Sequence, residues 1–284
     1  KISMSRPSTN AQFGLSVALS GNTSVIGAPG DDENGPFSGA AFVYQKLNSE
    51  WVETAKLRAS DGLQFELFGT SVAIDGDTIV VGAFISSNPL FGVGSVYVYE
   101  RDGSSWIQVA KLQASDARAN DQFGRPVAIS GHTIVIGAGL TDDKGADSGS
   151  VYVFERQNQR TWTEVAKLTA SDAHANALFG TAVDISNNII AVGGFASKDD
   201  LGVATGAAYV FEKRADVWGE TIKLLASDRA ERDGFGNSIA VDGHTIVVGA
   251  LNDNDGSGSA YIFQRSGTAW TQVKNITPSD PTLL

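Results

Sequence analysis

The sequence contains no cysteine, which excludes a disulfide framework and any thiolate metal site. It is also short of positive charge. Twenty-one Lys and Arg stand against 32 Asp and Glu, a formal net charge of -11. Phosphate backbones and anionic bilayers are held by clustered Lys and Arg, so no nucleic acid and no acidic membrane surface is expected as a partner. Cations, cationic partners and neutral glycans stay open. No apolar run approaches the roughly 20 residues of a membrane-spanning helix, so no membrane insertion is expected. No signal peptide is recognisable, but the chain starts at Lys1, so this does not argue against export.

What is abundant is glycine, 32 residues, together with apolar runs dominated by Val, Ile, Thr, Phe and Tyr. That composition predicts an all-β chain with many turns. The chain repeats. Phe-Gly occurs at Phe13-Gly14, Phe68-Gly69, Phe123-Gly124, Phe179-Gly180 and Phe235-Gly236, in steps of 55, 55, 56 and 56. Trp51, Trp106, Trp162, Trp218 and Trp270 keep nearly the same period. A period near 50 residues marks a propeller or a solenoid.

Each repeat reads as four strands, in the third Arg125–Ser130, Thr133–Ala138, Gly149–Glu155 and Trp162–Leu168. The first two are joined by two-residue turns: Gly21-Asn22, Gly76-Asp77, Gly131-His132, Asn187-Asn188 and Gly243-His244. Gly and Asn accept the positive φ such hairpins need. Polar stretches such as "RQNQR" join the third and fourth strands. The second and third strands ("TIVIGA", "SVYVF") are apolar on nearly every residue, as in a sheet covered on both faces. Stacked four-stranded blades meet that demand, and tight hairpins make the strands antiparallel, which disfavours a solenoid. A single domain spanning 1–284, most simply a five-bladed β-propeller, is predicted, with repeats at about 13–67, 68–122, 123–178, 179–234 and 235–284. Lys1–Asn10 aligns in register with Asn275–Leu284, so in a closed ring the two compete for one place. Closure is favoured, because an open end exposes a blade face and a strand edge.

Phe-Gly followed by Gly27-Ala28-Pro29 resembles the FG-GAP repeat of integrin α-subunit propellers, and most of all its shorter bacterial form. The resemblance covers essentially the whole chain and implies the propeller fold, adhesion and an extracellular or cell-surface location. Two departures matter. Integrin propellers have seven blades and this chain supplies five. Their calcium sites lie in acidic loops between first and second strands, where this chain has two-residue turns, so no position inherits them. Pro29 has no counterpart either, the equivalents being Phe84, Gly139, Phe195 and Leu251.

The recurring Phe-Gly and Gly-Ala pairs read as scaffold, because a catalytic site breaks symmetry and these keep it. The five Trp read as packing between outer strands, with sugar stacking as the alternative. Ala-Ser-Asp, ending at Asp61, Asp116, Asp172 and Asp228, with Pro278-Ser279-Asp280 last, reads as a loop cap. The loops between second and third strands differ most. They collect Asp31, Asp32, Glu33, Asp142, Asp143, Asp147, Asp199, Asp200, Asp253 and Asp255 on the face opposite the tight turns. Binding usually lives in such loops, so Asp31, Asp32, Asp142, Asp143, Asp199, Asp200, Asp253 and Asp255 are the candidate ligand-binding rim. Asp253-Asn254-Asp255-Gly256 is the candidate calcium loop, with Asp253 and Asp255 as ligands, although it lacks the downstream Glu of an EF-hand loop.

Enzyme chemistry finds little support. Asp184 stands on a first strand where the other repeats carry Ala, which is half of a glycosidase carboxylate pair at best. Asp75 and Asp242 end their strands at the turn. His132, His174 and His244 are not spaced as a metal set or a triad. The expected function is therefore non-catalytic binding or adhesion through the acidic loop face, with a glycan or a protein surface as ligand. The alternatives are a structural subunit or spacer of a surface assembly, and a glycosidase-like five-bladed enzyme.

Overall fold

The computed structural model describes residues 2–4, 8–86, 92–158 and 160–279. Residues 87–91 of the second variable loop, and Asp280 with the residues after it, lie outside the described residues. The chain forms five antiparallel sheets of four strands, each in sequence order. The first holds β1 (Val17–Ser20), β2 (Thr23–Ala28), β3 (Ala40–Leu47) and β4 (Glu50–Leu57). The second holds β5 (Ser71–Asp75), β6 (Thr78–Ala83), β7 (Ser95–Asp102) and β8 (Ser105–Leu112). The third holds β9 (Val127–Ser130), β10 (Thr133–Ala138), β11 (Ser150–Asn158) and β12 (Thr161–Leu168). The fourth holds β13 (Phe179–Ser186), β14 (Ile189–Gly194), β15 (Ala207–Arg214) and β16 (Val217–Leu224). The fifth holds β17 (Phe235–Asp242), β18 (Thr245–Ala250), β19 (Ser259–Ser266) and β20 (Ala269–Ile276). These are the blades of a five-bladed β-propeller, and Asp253–Gly256 is a tight turn in which Asn254 and Asp255 take left-handed φ of 53° and 57°.

The hairpins follow from their turn residues. Gly21, Gly76, Gly131, Asn187 and Gly243 all take φ between 53° and 56°, while the residue after each does not take positive φ, the pattern of a type II′ turn, whose first central position favours Gly. The third and fourth strands turn just as tightly, through Asn48-Ser49 (φ 47° and 72°) and Ala215-Asp216 (φ 47° and 63°). The "RQNQR" stretch is thus mostly strand, since β11 runs on to Asn158. β9 begins two residues later than the pattern suggests, at Val127, directly after Pro126, which has no N–H to give a ladder.

The chain divides into two compact units, Lys1–Ile136 with Phe154–Val165, and Gly137–Val153 with Ala166–Leu284. In the first unit, Val25, Val43 and Leu57 of the first sheet pack on Val72, Ile74, Ile79 and Val81 of the second. In the second unit, Ala191, Ala208, Val210 and Leu224 of the fourth sheet pack on Val241, Ile246 and Val248 of the fifth. Within the first unit, the N-terminal residues supply Ile2 and Met4 to the outer part of the first sheet, beside Phe42 and Tyr44. The Tyr44 hydroxyl donates to the Ser3 carbonyl at 3.0 Å, as Tyr99 donates to Arg58 in the second sheet. β1 itself keeps an apolar face open: Val17 and Leu19 are 67% and 65% exposed, whereas Val72 and Ile74 at the same places in β5 are 8%. In the second unit Val247 and Ile276 of the fifth sheet are likewise exposed.

Candidate functional site

The repeated residues build the joints between successive blades. Phe68, Phe123, Phe179 and Phe235 are fully buried, and each stands edge-on or tilted to an aromatic ring of its own third strand, as Phe68 does to Tyr97 at 5.5 Å. Phe13 packs edge-on to Phe42 at 5.5 Å. The glycines are demanded by contact. A Cβ on Gly82 would lie 2.0 Å from the Gly124 carbonyl oxygen, and one on Gly94 2.0 Å from that of Phe123. The Ser71 hydroxyl donates to the Gly124 carbonyl at 2.7 Å, adding a polar stitch at the same joint.

Ala-Ser-Asp is a clip between blades. Its Ala is buried. The Ser115 N–H and hydroxyl donate to the Glu164 carboxylate at 2.9 and 2.8 Å, and Ser171 does the same to Glu220. The Asp61 carboxylate accepts from the Tyr97 hydroxyl at 2.9 Å and pairs with Lys111 at 2.7 Å, and Asp172 repeats this with Tyr209 and Lys223. Burial raises the affinity of Asp61 and Asp172 for a proton. The Lys and Tyr bonds outweigh that and hold both below the usual carboxylate range. These carboxylates bind the next blade in addition to a backbone N–H of their own loop.

Trp162, Trp218 and Trp270 are buried, and Trp51 and Trp106 are half-buried, with the Arg101 guanidinium 4.5 Å from the Trp106 ring centre. Asp184 lies between neighbouring first strands. Its carboxylate accepts the Ile185 N–H at 2.9 Å and the Val241 N–H at 2.7 Å. Burial pushes its carboxyl above the usual range, against the pull of those two bonds. Asp75 accepts the Gly131 N–H at 2.6 Å, tying the end of one first strand to the next tight turn.

The acidic loop residues separate into two kinds. Asp31 is buried and ion-paired with Lys56 at 2.8 Å. Asp143 accepts from Ser150 at 2.7 Å and pairs with Lys167. Asp199 accepts the N–H groups of Val203 and Leu201 and pairs with Arg229 at 3.1 Å, which lowers its pKa. Asp253 is buried and accepts from the Tyr261 hydroxyl at 2.6 Å and from the Asn254 N–H at 2.7 Å. These four serve loop structure. Asp32, Asp142, Asp200 and Asp255 are exposed, Asp142 also accepting the Asp147 N–H at 2.9 Å. Among the described residues no three His, Cys, Asp or Glu side chains gather as a metal ion would require.

At the loop end of the first unit lies a feature that the acidic pattern does not reveal. Phe37, in the β2–β3 loop, stacks on Phe65, in the β4–β5 loop, with ring centres 6.1 Å apart and planes 22° from parallel. The two rings, with Gln12, Leu67 and Ile85, line an open hollow of about 540 Å³. Both aromatics are solvent-exposed, Phe37 at 38% and Phe65 at 51%. Both take positive φ, 53° and 66°. The loop is held by backbone bonds from the Phe65 N–H to the Pro36 carbonyl and from the Leu67 N–H to the Phe37 carbonyl. The signal that finds this pair is a departure from the repeat. Where Phe65 stands, the other repeats carry Asn10, Asn120, Asn176 and Arg232. At the place of Phe37, two other repeats carry Gly92 and Asp147, also at positive φ.

With the blades and loops in view, comparison with known families is decisive for the fold. The FG-GAP repeat model matches residues 1–44, 51–99, 106–154, 162–211 and 218–263. The chain belongs to the FG-GAP repeat family. The matched FG-GAP unit is offset by one strand from the sheet: the stretch 51–99 runs from β4 through β5 and β6 into β7. One unit of sequence therefore holds parts of two blades and carries the joint between them. No curated protein matches this FG-GAP chain. No helix among its described residues is long and apolar enough to cross a membrane.

Proposed function

We propose that this FG-GAP protein is a non-catalytic binding module that acts outside the cell or at its surface and engages its ligand with the loop ends of the blades. The observation that carries this reading is the exposed Phe37–Phe65 hollow. Large apolar groups in left-handed backbone, exposed and unrepeated, contribute nothing that the blade joints need. The exposed Asp32 adds negative charge at the loop end that carries the two rings, which suits a cationic or hydrated ligand, and in the second unit Asp142, Asp200 and Asp255 are exposed on the corresponding loops. Family membership supports adhesion-type binding as a class and leaves the ligand to the loops.

The test is a glycan array together with a displayed peptide library, probed with wild type, a loop-end variant (Phe37→Asp with Phe65→Asn) and a turn-end variant (Asp77→Asn with His132→Asn). The reading expects binders lost only in the loop-end variant. Binders lost only in the turn-end variant, or cleavage of an arrayed glycan, would contradict it.

A second reading, a subunit or spacer in a surface assembly, is favoured by the open apolar face of β1. Sedimentation velocity of wild type against Val17→Asp/Leu19→Asp tests it. Concentration-dependent association abolished by the double variant would favour assembly, and a monomer in both would remove it.

A further inference from the structure

We propose that the Phe37–Phe65 hollow is a peptide-docking site that takes an aromatic or branched aliphatic side chain, with a neighbouring Lys or Arg of the same peptide reaching Asp32. The inference rests on the loop-end reading above and adds the chemical class of the partner.

The lining decides between peptide and sugar. Two phenyl rings, Leu67 and Ile85 line the hollow, and among the described residues the Gln12 amide is the one polar side chain that joins them. A sugar ring carries hydroxyls around its edge and needs several directed polar groups beside an aromatic platform. A hydrocarbon side chain needs none. The neighbouring surface supplies the second half of the specificity. Phe37 is also a wall of a smaller hollow, about 290 Å³, whose other sides include Thr9, Asn10 and Asp32. One aromatic ring thus separates an apolar recess from an acidic one. Consecutive Cα atoms of a peptide lie about 3.8 Å apart, so an apolar residue and a cationic one within two positions of it can occupy both recesses. A chain of net charge -11 adds a long-range attraction for such a segment.

The backbone argues that the rings are there for a reason other than the turn. Asn10, Asn120 and Asn176 adopt φ of 61°, 70° and 61° at the place Phe65 fills, so Asn meets the structural need in three repeats. Asn is enriched in this region and a bulky aromatic is an outlier there. The surface has installed two adjacent rings against that preference, and left both open to solvent.

The probe is a random heptapeptide phage library panned on the full chain at low salt, with selected sequences synthesised and titrated by fluorescence polarisation. The titrations use wild type, Phe65→Asn, Asp32→Asn and the triple variant Asp142→Asn/Asp200→Asn/Asp255→Asn. Asn at position 65 is what sister repeats already hold in this conformation, and an undiminished unfolding temperature confirms that the variant folds. Selected peptides are expected to share an apolar residue within two positions of Lys or Arg. Phe65→Asn is expected to weaken them about tenfold or more, as loss of an aromatic anchor does. Asp32→Asn is expected to weaken them about threefold and to flatten the salt dependence, while the triple variant leaves them unchanged. Peptides indifferent to Phe65→Asn but weakened in the triple variant would overturn the hollow and leave the loop-end reading standing. Peptides indifferent to every variant would overturn both. An absence of enriched peptides, or arrayed glycans bound by wild type and lost in Phe65→Asn, would also overturn the proposal.

Discussion

Phe65 and Phe68 sit three residues apart in one loop, and everything else about them differs. Phe68 is fully buried, tilted to Tyr97 at 5.5 Å and edge-on to Tyr99 at 6.2 Å. It has a counterpart in every repeat, at Phe13, Phe123, Phe179 and Phe235. Phe65 is half out in solvent, in strained backbone, and has no aromatic counterpart in the other repeats. In a repeat protein the period reports what stacking one unit on the next requires. A residue that breaks the period without damaging the stack answers to something else. The same contrast separates Asp61, which ties one blade to the next through Tyr97 and Lys111, from Asp32, which is exposed on the rim.

The strongest way to break the comparison is to truncate its buried member. Phe68→Ala removes a ring from a packed joint and is expected to cost about 3–5 kcal/mol, read from urea unfolding. A result near zero would mean that the joint collapses without it. Next comes Gly82→Ala, whose new Cβ would meet the Gly124 carbonyl oxygen. Overpacking of this kind costs about 1–3 kcal/mol, read as a fall in the urea midpoint.

A smaller effect, with a sign that can be worked out, concerns acid. Asp61 and Asp172 have folded pKa values below the ordinary 3.8. Their contribution is complete above that value and is lost as pH falls through the lower, folded one. Asp184 has the opposite sign. Its folded pKa lies above 3.8, so its ionisation subtracts stability as pH rises through that interval. The unfolding temperature of Asp61→Asn should therefore approach that of wild type as the solution is acidified. Asp184→Asn should compare best with wild type at neutral pH and lose that advantage in acid. Thermal scans from pH 2.5 to 7 would check both, and parallel curves would contradict them.

Most of the scaffold was legible in the sequence, because its causes are local or periodic. Gly and Asn at fixed offsets fix the turns, continuous apolar strands require cover on both faces, and five Phe-Gly pairs count the blades. The functions of Ser115 and Asp61 were harder to read. Their partners, Glu164 and Lys111, lie about 50 positions onward in the next blade, and only the stacked geometry brings them together. The acidic rim was legible only in part. A sequence shows that Asp31 and Asp32 are adjacent acids, but not that Lys56 buries the first and leaves the second exposed. The hollow leaves no mark among the charged or repeating residues, because its two rings are apolar and unrepeated. Its trace was present all along, in Phe65 standing where three repeats carry Asn.

The smallest expected change is the most direct test of the central claim, that repeated residues hold this protein together while the exposed rim rings that break the repeat do not. Urea unfolding of Phe65→Asn should give a free energy equal to wild type, or higher by up to about 1 kcal/mol as left-handed strain is relieved. A loss of more than about 1 kcal/mol would show that Phe65 is part of the blade joint and would contradict the account.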